Sequence, residues 1–291
     1  MEFHGDEAGC SGCARCVEAC PECILELHEK RPRFEPGADA DCISCGHCVM
    51  ACSTGAARHS AFTDADFYPV ERGEVGFDGL VRLFSARRSV RRFKDEPVPR
   101  ELIDKVIEAT STAPMGFPPH TTEVLVFNDR GKIQELIPHM VKGYAGLEGA
   151  VANPVARFFV KRAVGAPLYK ALETHVIPVT KRARRLYEER KLERYLWNAP
   201  ALLLFHADRF ATSNLENTWI AVTYAMLAAH ALGLGTLVNG LLPPIVDRSK
   251  ELRFKLGIPR DNQVQAALLL GFAKLQYKRG IRRKLRKVEY V

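Results

Sequence analysis

All nine cysteines of this 291-residue chain fall within its first 52 residues, and their spacing limits the fold more than any other feature. Eight of them form two runs, CSGCARCVEAC from Cys10 to Cys20 and CISCGHCVMAC from Cys42 to Cys52. Both runs read C-x2-C-x2-C-x3-C, and each cysteine of the first has a counterpart 32 residues further on. Thiols this close together cannot form a disulfide framework, and each run carries more thiols than half a zinc site needs. Sulfur committed to metal points to a reducing interior. The opening MEFHGDEAGC has no apolar stretch of the kind a signal peptide carries, so a cytoplasmic location is expected.

The duplicated run resembles the signature of bacterial ferredoxins, which implies two 4Fe–4S clusters with crossed ligation. By that resemblance Cys10, Cys13, Cys16 and Cys52 hold one cluster, and Cys42, Cys45, Cys48 and Cys20 hold the other. Pro21 follows Cys20 as the signature expects, whereas Ser53 follows Cys52. The ninth thiol, Cys23, is expected as a small buried residue, and His47 as a turn residue. The expected boundaries are a ferredoxin-type domain over 1–62, a linker over 63–79 and a larger domain over 80–291. A module as small as the first cannot build an adequate apolar core, so metal bonds must hold it together.

Charge divides along the same line. Residues 1–62 hold five of the 42 Lys and Arg and ten of the 34 Asp and Glu, a net −5 that leaves +13 for the remainder. An acidic front on a basic body suits mutual docking, and the basic body suits an anionic cofactor. The tail KRGIRRKLRK, Lys278 to Lys287, is the best case for nucleic acid, but neither interleaved aromatics nor a groove-reading helix accompanies it. No nucleic-acid partner is expected. No charged residue lies between Glu216 and Asp247, a span long enough for a bilayer. Gly233, Gly235, Asn239, Pro243 and Pro244 break it into a buried helix, a glycine stop and a strand, so no membrane span is expected.

Beyond the linker, Pro99 is expected at the first position of a helix through PRELIDKVIEAT, where Leu102, Val106 and Ile107 repeat with helical period. Strands are expected over Thr122–Asn128, Ala201–Ala207, Thr236–Asn239 and Gln263–Phe272. Residues 131–197 read as mostly helical. Ser213 or Asn214 is expected to cap a long helix through Ala231, and another helix lies near Arg248–Leu256. The class is α+β. No G-x-G-x-x-G follows a strand, so a Rossmann dinucleotide site is not expected. His206, His230 and Asp208 could form an acid–base group, although nothing in their spacing requires one.

The second chemical signal is ARRSVRRF, Ala86 to Phe93, with four arginines and a serine whose donors suit phosphate oxygens. Followed by DEPVPRELIDKVIEATSTAP, it resembles the start of the nitroreductase family; LAAHALGLGTLVNG and LLLGFAKLQYKR are similar to later parts of that family. The resemblance covers about residues 78–280. It implies a mixed sheet flanked by helices, a homodimer and bound FMN. Carried onto this chain, Arg87, Arg88, Ser89 and Arg91 would grip the phosphate and ribityl chain. Pro114, Met115 and Gly116 would run along the flavin, Gly235 and Thr236 would approach its ring, and Lys274 or Arg279 would close the phosphate site. The family's common Asn-x-Gln after Ala-Pro is absent; Pro118 and His120 stand nearest to it. No dedicated catalytic side chain is expected, since a flavin carries the electrons itself. The implied activity runs from a low-potential donor such as a ferredoxin, through clusters and FMN, to a small organic acceptor. The competing reading is an electron carrier or redox sensor without a substrate of its own.

Overall fold

The computed structural model describes residues 1–291 apart from Glu7, Glu71, Arg72, Glu74 and residues 117–120. Pro118 and His120 therefore lie outside the described residues. The chain divides into two units, Met1–Glu74 and Val75–Val291, with the division inside the expected linker.

The first unit holds β1 (Phe3–Gly5), α1 (Arg15–Glu18), β2 (Leu25–His28), β3 (Arg31–Phe34), α2 (His47–Met50) and β4 (Ala57–His59). β1 pairs antiparallel with β4, which ties the two ends of the unit together, and β2 pairs antiparallel with β3. The duplication is written into the backbone as well as the thiols. Left-handed residues recur 32 apart: Gly12 and Ser44 (φ 69° and 50°), Ala14 and Gly46 (63° and 74°), Cys23 and Gly55 (54° and 66°). Where one copy has glycine, the other carries a side chain in a conformation that costs L-residues energy. The apolar centre is small: Phe3, Cys16, Leu25 and Ala57 are its buried members.

The second unit opens with α3 (Phe77–Ala86) and α4 (Arg100–Ser111), then β5 (Thr122–Phe127) and α5 (Arg130–Gln134). A helical stretch follows: α6 (Ile137–Ala152), α7 (Pro154–Val164), α8 (Ala166–Ala171), a π-helical turn over Leu172–Val176 and α9 (Ile177–Arg190). β6 (Ala201–Asp208), α10 (Asn214–Ala231), β7 (Gly235–Val238), α11 (Leu242–Arg248), α12 (Lys250–Lys255) and β8 (Asn262–Gly271) complete it. The sheet order is β5-β6-β8-β7, and all three ladders are antiparallel. The parallel component of the mixed sheet comes from one bridge, Ser89 to Thr236.

Both faces of this sheet are covered, so β6 and β8 are near-continuous apolar runs. Leu202 and Leu204 join the core shared with α6, α9, α11 and α12, while Ala201, Leu203 and Phe205 face the core under α4 and α10. β8 alternates in the same way, with Leu269 on one side and Leu268 and Leu270 on the other. Among the described residues no helix is long and apolar enough to cross a membrane.

Several expected boundaries move. Pro99 occupies the cap position and α4 begins at Arg100. Neither Ser213 nor Asn214 caps α10 through its side chain: Ser213 sits at φ 56° without a capping bond, and the Asn214 amide donates back to Asp208 O at 2.8 Å. The helix expected near 248–256 is two short ones, because Ser249 leaves the helical conformation and caps α12 with a hydroxyl to Leu252 N–H at 3.2 Å.

Candidate functional site

Two hollows in the first unit are ringed by cysteines. One is lined by Cys10, Cys13, Cys16 and Cys52; the other by Cys20, Cys42, Cys45 and Cys48. These are the two crossed sets. Electrostatic coupling repeats the grouping. Burial pushes the Cys48 thiol up to about 12, with Cys45, Cys42 and Cys20 adding to the shift. Burial also raises the Cys16 thiol, with Cys10 and Cys52 contributing. No group of His, Cys, Asp and Glu among the described residues gathers tightly enough for a single metal ion. Thiols spread around a hollow suit a polynuclear cluster instead, and metal bonds would remove the protons that burial otherwise retains. All nine thiols are free. Cys23 departs from expectation: it is exposed, at the left-handed position matching Gly55, and lines neither hollow.

In the second unit the arginine segment continues the sheet past β7. Val90 N–H donates to Thr236 O at 2.8 Å, beside the Ser89–Thr236 bridge. Further on, Phe93 bridges Ala273, Lys94 N–H reaches Phe272 O at 2.8 Å, and Lys274 N–H reaches Arg92 O at 2.8 Å. Gly235 permits this approach, since a Cβ there would stand 2.6 Å from Val90 Cγ2. Rigid backbone thus fixes a row of cations.

The cations fall into two groups. Arg87, half-buried, lies near Arg88 and Arg283, and burial followed by these neighbours weighs against its charge. The same Arg87 and Arg88, after burial, disfavour protonation of His230 on α10. The second group lines a cavity of about 460 Å3 that includes Arg91, Arg92, Lys191, Arg194, Trp197 and Lys274. The Arg194 guanidinium lies 4.7 Å from the Trp197 ring centroid and that of Arg91 5.9 Å. Trp197 and Asn198 are both left-handed, at φ 56° and 51°. Glu193 holds this turn by accepting Leu196 N–H and Asn198 N–H at 2.6 Å each. Among the described residues none of these eight Arg and Lys side chains forms an ion pair within 4.0 Å, and Arg194 alone has a carboxylate, Glu193, acting on its charge. Such a concentration of positive charge is costly without an anion. The buried Thr236 hydroxyl has no hydrogen-bond partner either. The residues therefore fit an anionic ligand carrying polar atoms.

Other expected residues take distinct places. Gly116 is clamped by Asn217 of α10, which accepts Gly116 N–H at 2.6 Å and donates to Gly116 O at 3.3 Å. Pro114 is exposed and Met115 half-buried beside it. Lys274 shares the cavity of Arg91, while Arg279 is exposed in the tail. Arg283, rather than either, stands by Arg87. His206, His230 and Asp208 form no triad: His206 Nδ1 faces the Asn262 amide at 2.8 Å, and Asp208 accepts Phe210 N–H at 2.9 Å. A separate, mostly apolar cavity of about 610 Å3 lies between α6, the π-helical turn and α11, with Leu147, Leu172, Val176 and Ile245 in its walls. Arg283, Asn217, Arg194 and Trp197 were missed in the sequence. Only Arg283 carried a signal, as part of the basic tail.

Comparison with known proteins gives two family matches: the nitroreductase family over residues 84–272 and a 4Fe-4S dicluster domain over residues 9–57. Iodotyrosine deiodinase 1 of Rattus norvegicus is 38% identical over 73 residues, 24% of this chain and 26% of that protein. Iodotyrosine deiodinase of Thermotoga neapolitana is 25% identical over 190 residues, 62% of this chain and 86% of that protein. Among solved structures, a nitroreductase with bound FMN from Bacteroides fragilis matches with a TM-score of 0.53 at 18% identity, covering 76% of this chain and 100% of that one. A second, also a nitroreductase with bound FMN, from Desulfitobacterium hafniense, matches with a TM-score of 0.50 at 21% identity, covering 72% and 97%. Likeness at such identity speaks for the fold.

Proposed function

From the premise that this chain belongs to the nitroreductase family, we propose that it is an iron–sulfur flavoprotein oxidoreductase. Electrons would enter at the N-terminal unit and leave to an organic acceptor at the second. The observation that carries this reading is the pair of four-cysteine hollows, joined in one chain to a family domain that other members use for FMN. FMN, when bound, exchanges one or two electrons and so links one-electron centres to a two-electron reduction.

This chain's own residues would hold it as follows. Arg87, Arg88, Ser89 and Arg283 supply charge and hydroxyl donors for the phosphate. Arg91, Arg194 and Lys274 line the adjoining cavity and stabilise negative charge on a reduced ring system, with Trp197 as its apolar wall. Thr236 offers a buried hydroxyl. Nitroaromatics and enones belong in an acceptor screen, and halogenated phenols join them because two relatives are named deiodinases. A homodimer and a ferredoxin-type donor complete the proposal.

Anaerobic titration of the full chain with reduced ferredoxin, and separately with NADH, tests it by following cluster and flavin absorbance apart. The expected result is bleaching by ferredoxin with acceptor turnover. Internal reduction without turnover of any acceptor class would favour an electron carrier.

A further inference from the structure

The two cysteine-lined hollows are not equivalent. His47 Nδ1 stands 3.2 Å from Cys45 Sγ where the first copy has Arg15, but it is exposed. The buried difference sits at another position of the duplication. His59, in β4, lines the hollow of Cys42, Cys45, Cys48 and Cys20. Thirty-two residues earlier stands Leu27, which lines the hollow of Cys10, Cys13, Cys16 and Cys52. The matching holds for the next inward position as well, Leu25 lining one hollow and Ala57 the other. The repeat thus places an imidazole beside one thiol set and an aliphatic side chain beside the other.

The imidazole is oriented. Its Nε2 lies 3.3 Å from Cys42 Sγ, and its Nδ1 accepts Ala61 N–H at 3.0 Å. A nitrogen that accepts a backbone N–H carries no proton, so the ring's single proton is on Nε2 and points at the sulfur. The side chain is buried at 5% exposure and boxed by Phe3, Phe34 and Phe62, with ring centroids 6.2, 5.9 and 5.4 Å away. Water cannot readily compete for this bond. Among the described residues the side-chain donors at the other hollow are exposed hydroxyls, Thr54 at 3.5 Å from Cys52 Sγ and Ser11 beside Cys13.

We propose that His59 is a positioning residue that donates a buried N–H to the Cys42 thiolate and raises the reduction potential of the cluster held by Cys42, Cys45, Cys48 and Cys20 above that of its neighbour. The inference rests on the two-cluster reading. A hydrogen bond to a ligand sulfur draws negative charge from it and so favours the reduced, more negative cluster. The first electron to enter the N-terminal unit then resides at this cluster.

The test is potentiometric titration of the full-length, anaerobically loaded chain followed by electron paramagnetic resonance, after iron analysis. His59→Leu copies the first repeat into the second, and Leu27→His does the reverse. His59→Leu should lower the higher of the two potentials and leave the other in place; Leu27→His should raise the lower one. Unchanged potentials in His59→Leu with full iron content overturn the proposal, as does an equal shift of both clusters. If His59→Leu fails to take up iron, His59→Gln, which retains an N–H donor, should keep most of the separation; a fall to the potential of the other cluster overturns the proposal. Iron for fewer than two clusters in the unaltered chain would instead refute the two-cluster reading itself.

Discussion

Gly235 is glycine because Val90 leaves no room for a Cβ, and Val90 is pinned there by its bond to Thr236. Gly235→Ala should therefore cost about 1–3 kcal/mol by overpacking, read as a fall in Tm of several degrees, together with weaker retention of FMN. Charge is the second lever at this scale. Removing Arg87 or Arg283 deletes a donor from a cluster with no described carboxylate partner, so each alanine variant should bind FMN at least about tenfold more weakly, at ~1.5–3 kcal/mol per charge-assisted bond. Riboflavin, which lacks the phosphate, should bind as before; equal losses for both ligands would place these arginines elsewhere than at a phosphate. Arg87 was expected from its motif through the family resemblance. Arg283 was not, because a tail of alternating cations looks the same whether it is solvated or docked, and only folding brings it to Arg87. Cys23 shows the opposite error. Thiol chemistry suggested burial, but the left-handed backbone at its place in the repeat turns it outward. Cys23→Ser should leave the iron content unchanged, whereas Cys45→Ser should remove one cluster.

α10 does more than cover the sheet. Its apolar face was readable as a run without charges, and the strands β6 and β8 were readable as unbroken apolar segments, because burial on both faces removes the need for alternation. What the helix does at Asn217 was not readable: an asparagine in an apolar run looks like tolerated polarity until its partner a hundred residues earlier is placed. Its side chain makes two bonds with the Gly116 backbone and is 1% exposed. Asn217→Ala leaves those groups unpaired, at about 1–3 kcal/mol. Amide hydrogen exchange at Gly116 should accelerate markedly while α4 stays protected; unchanged protection would show that the loop is held by other contacts. The split of the expected 248–256 helix followed from a single serine whose hydroxyl serves a cap better than a helix interior.

For the whole molecule, two units with separate cores should behave as two reporters. Anaerobically reconstituted protein should hold about eight iron atoms per chain. Chelation should unfold the N-terminal unit, whose apolar centre is too small to persist without metal, and leave the melting of the Val75–Val291 unit nearly unchanged. The larger unit, expressed alone, should retain FMN but lose turnover with reduced ferredoxin; equal rates in both forms would remove the clusters from the route. The crossed cysteine sets carry a further consequence. Each hollow is lined by three cysteines from one half of the repeat and one from the other, so under the proposed ligation two metal centres would stitch the halves together. A backbone nick at Gly37, whose surroundings are open, should leave both fragments in one assembly, heavier only by the water of hydrolysis, in native mass spectrometry while iron is present. Once iron is stripped away, the paired strands β1 and β4 are left as the main seam, and the severed fragments should part.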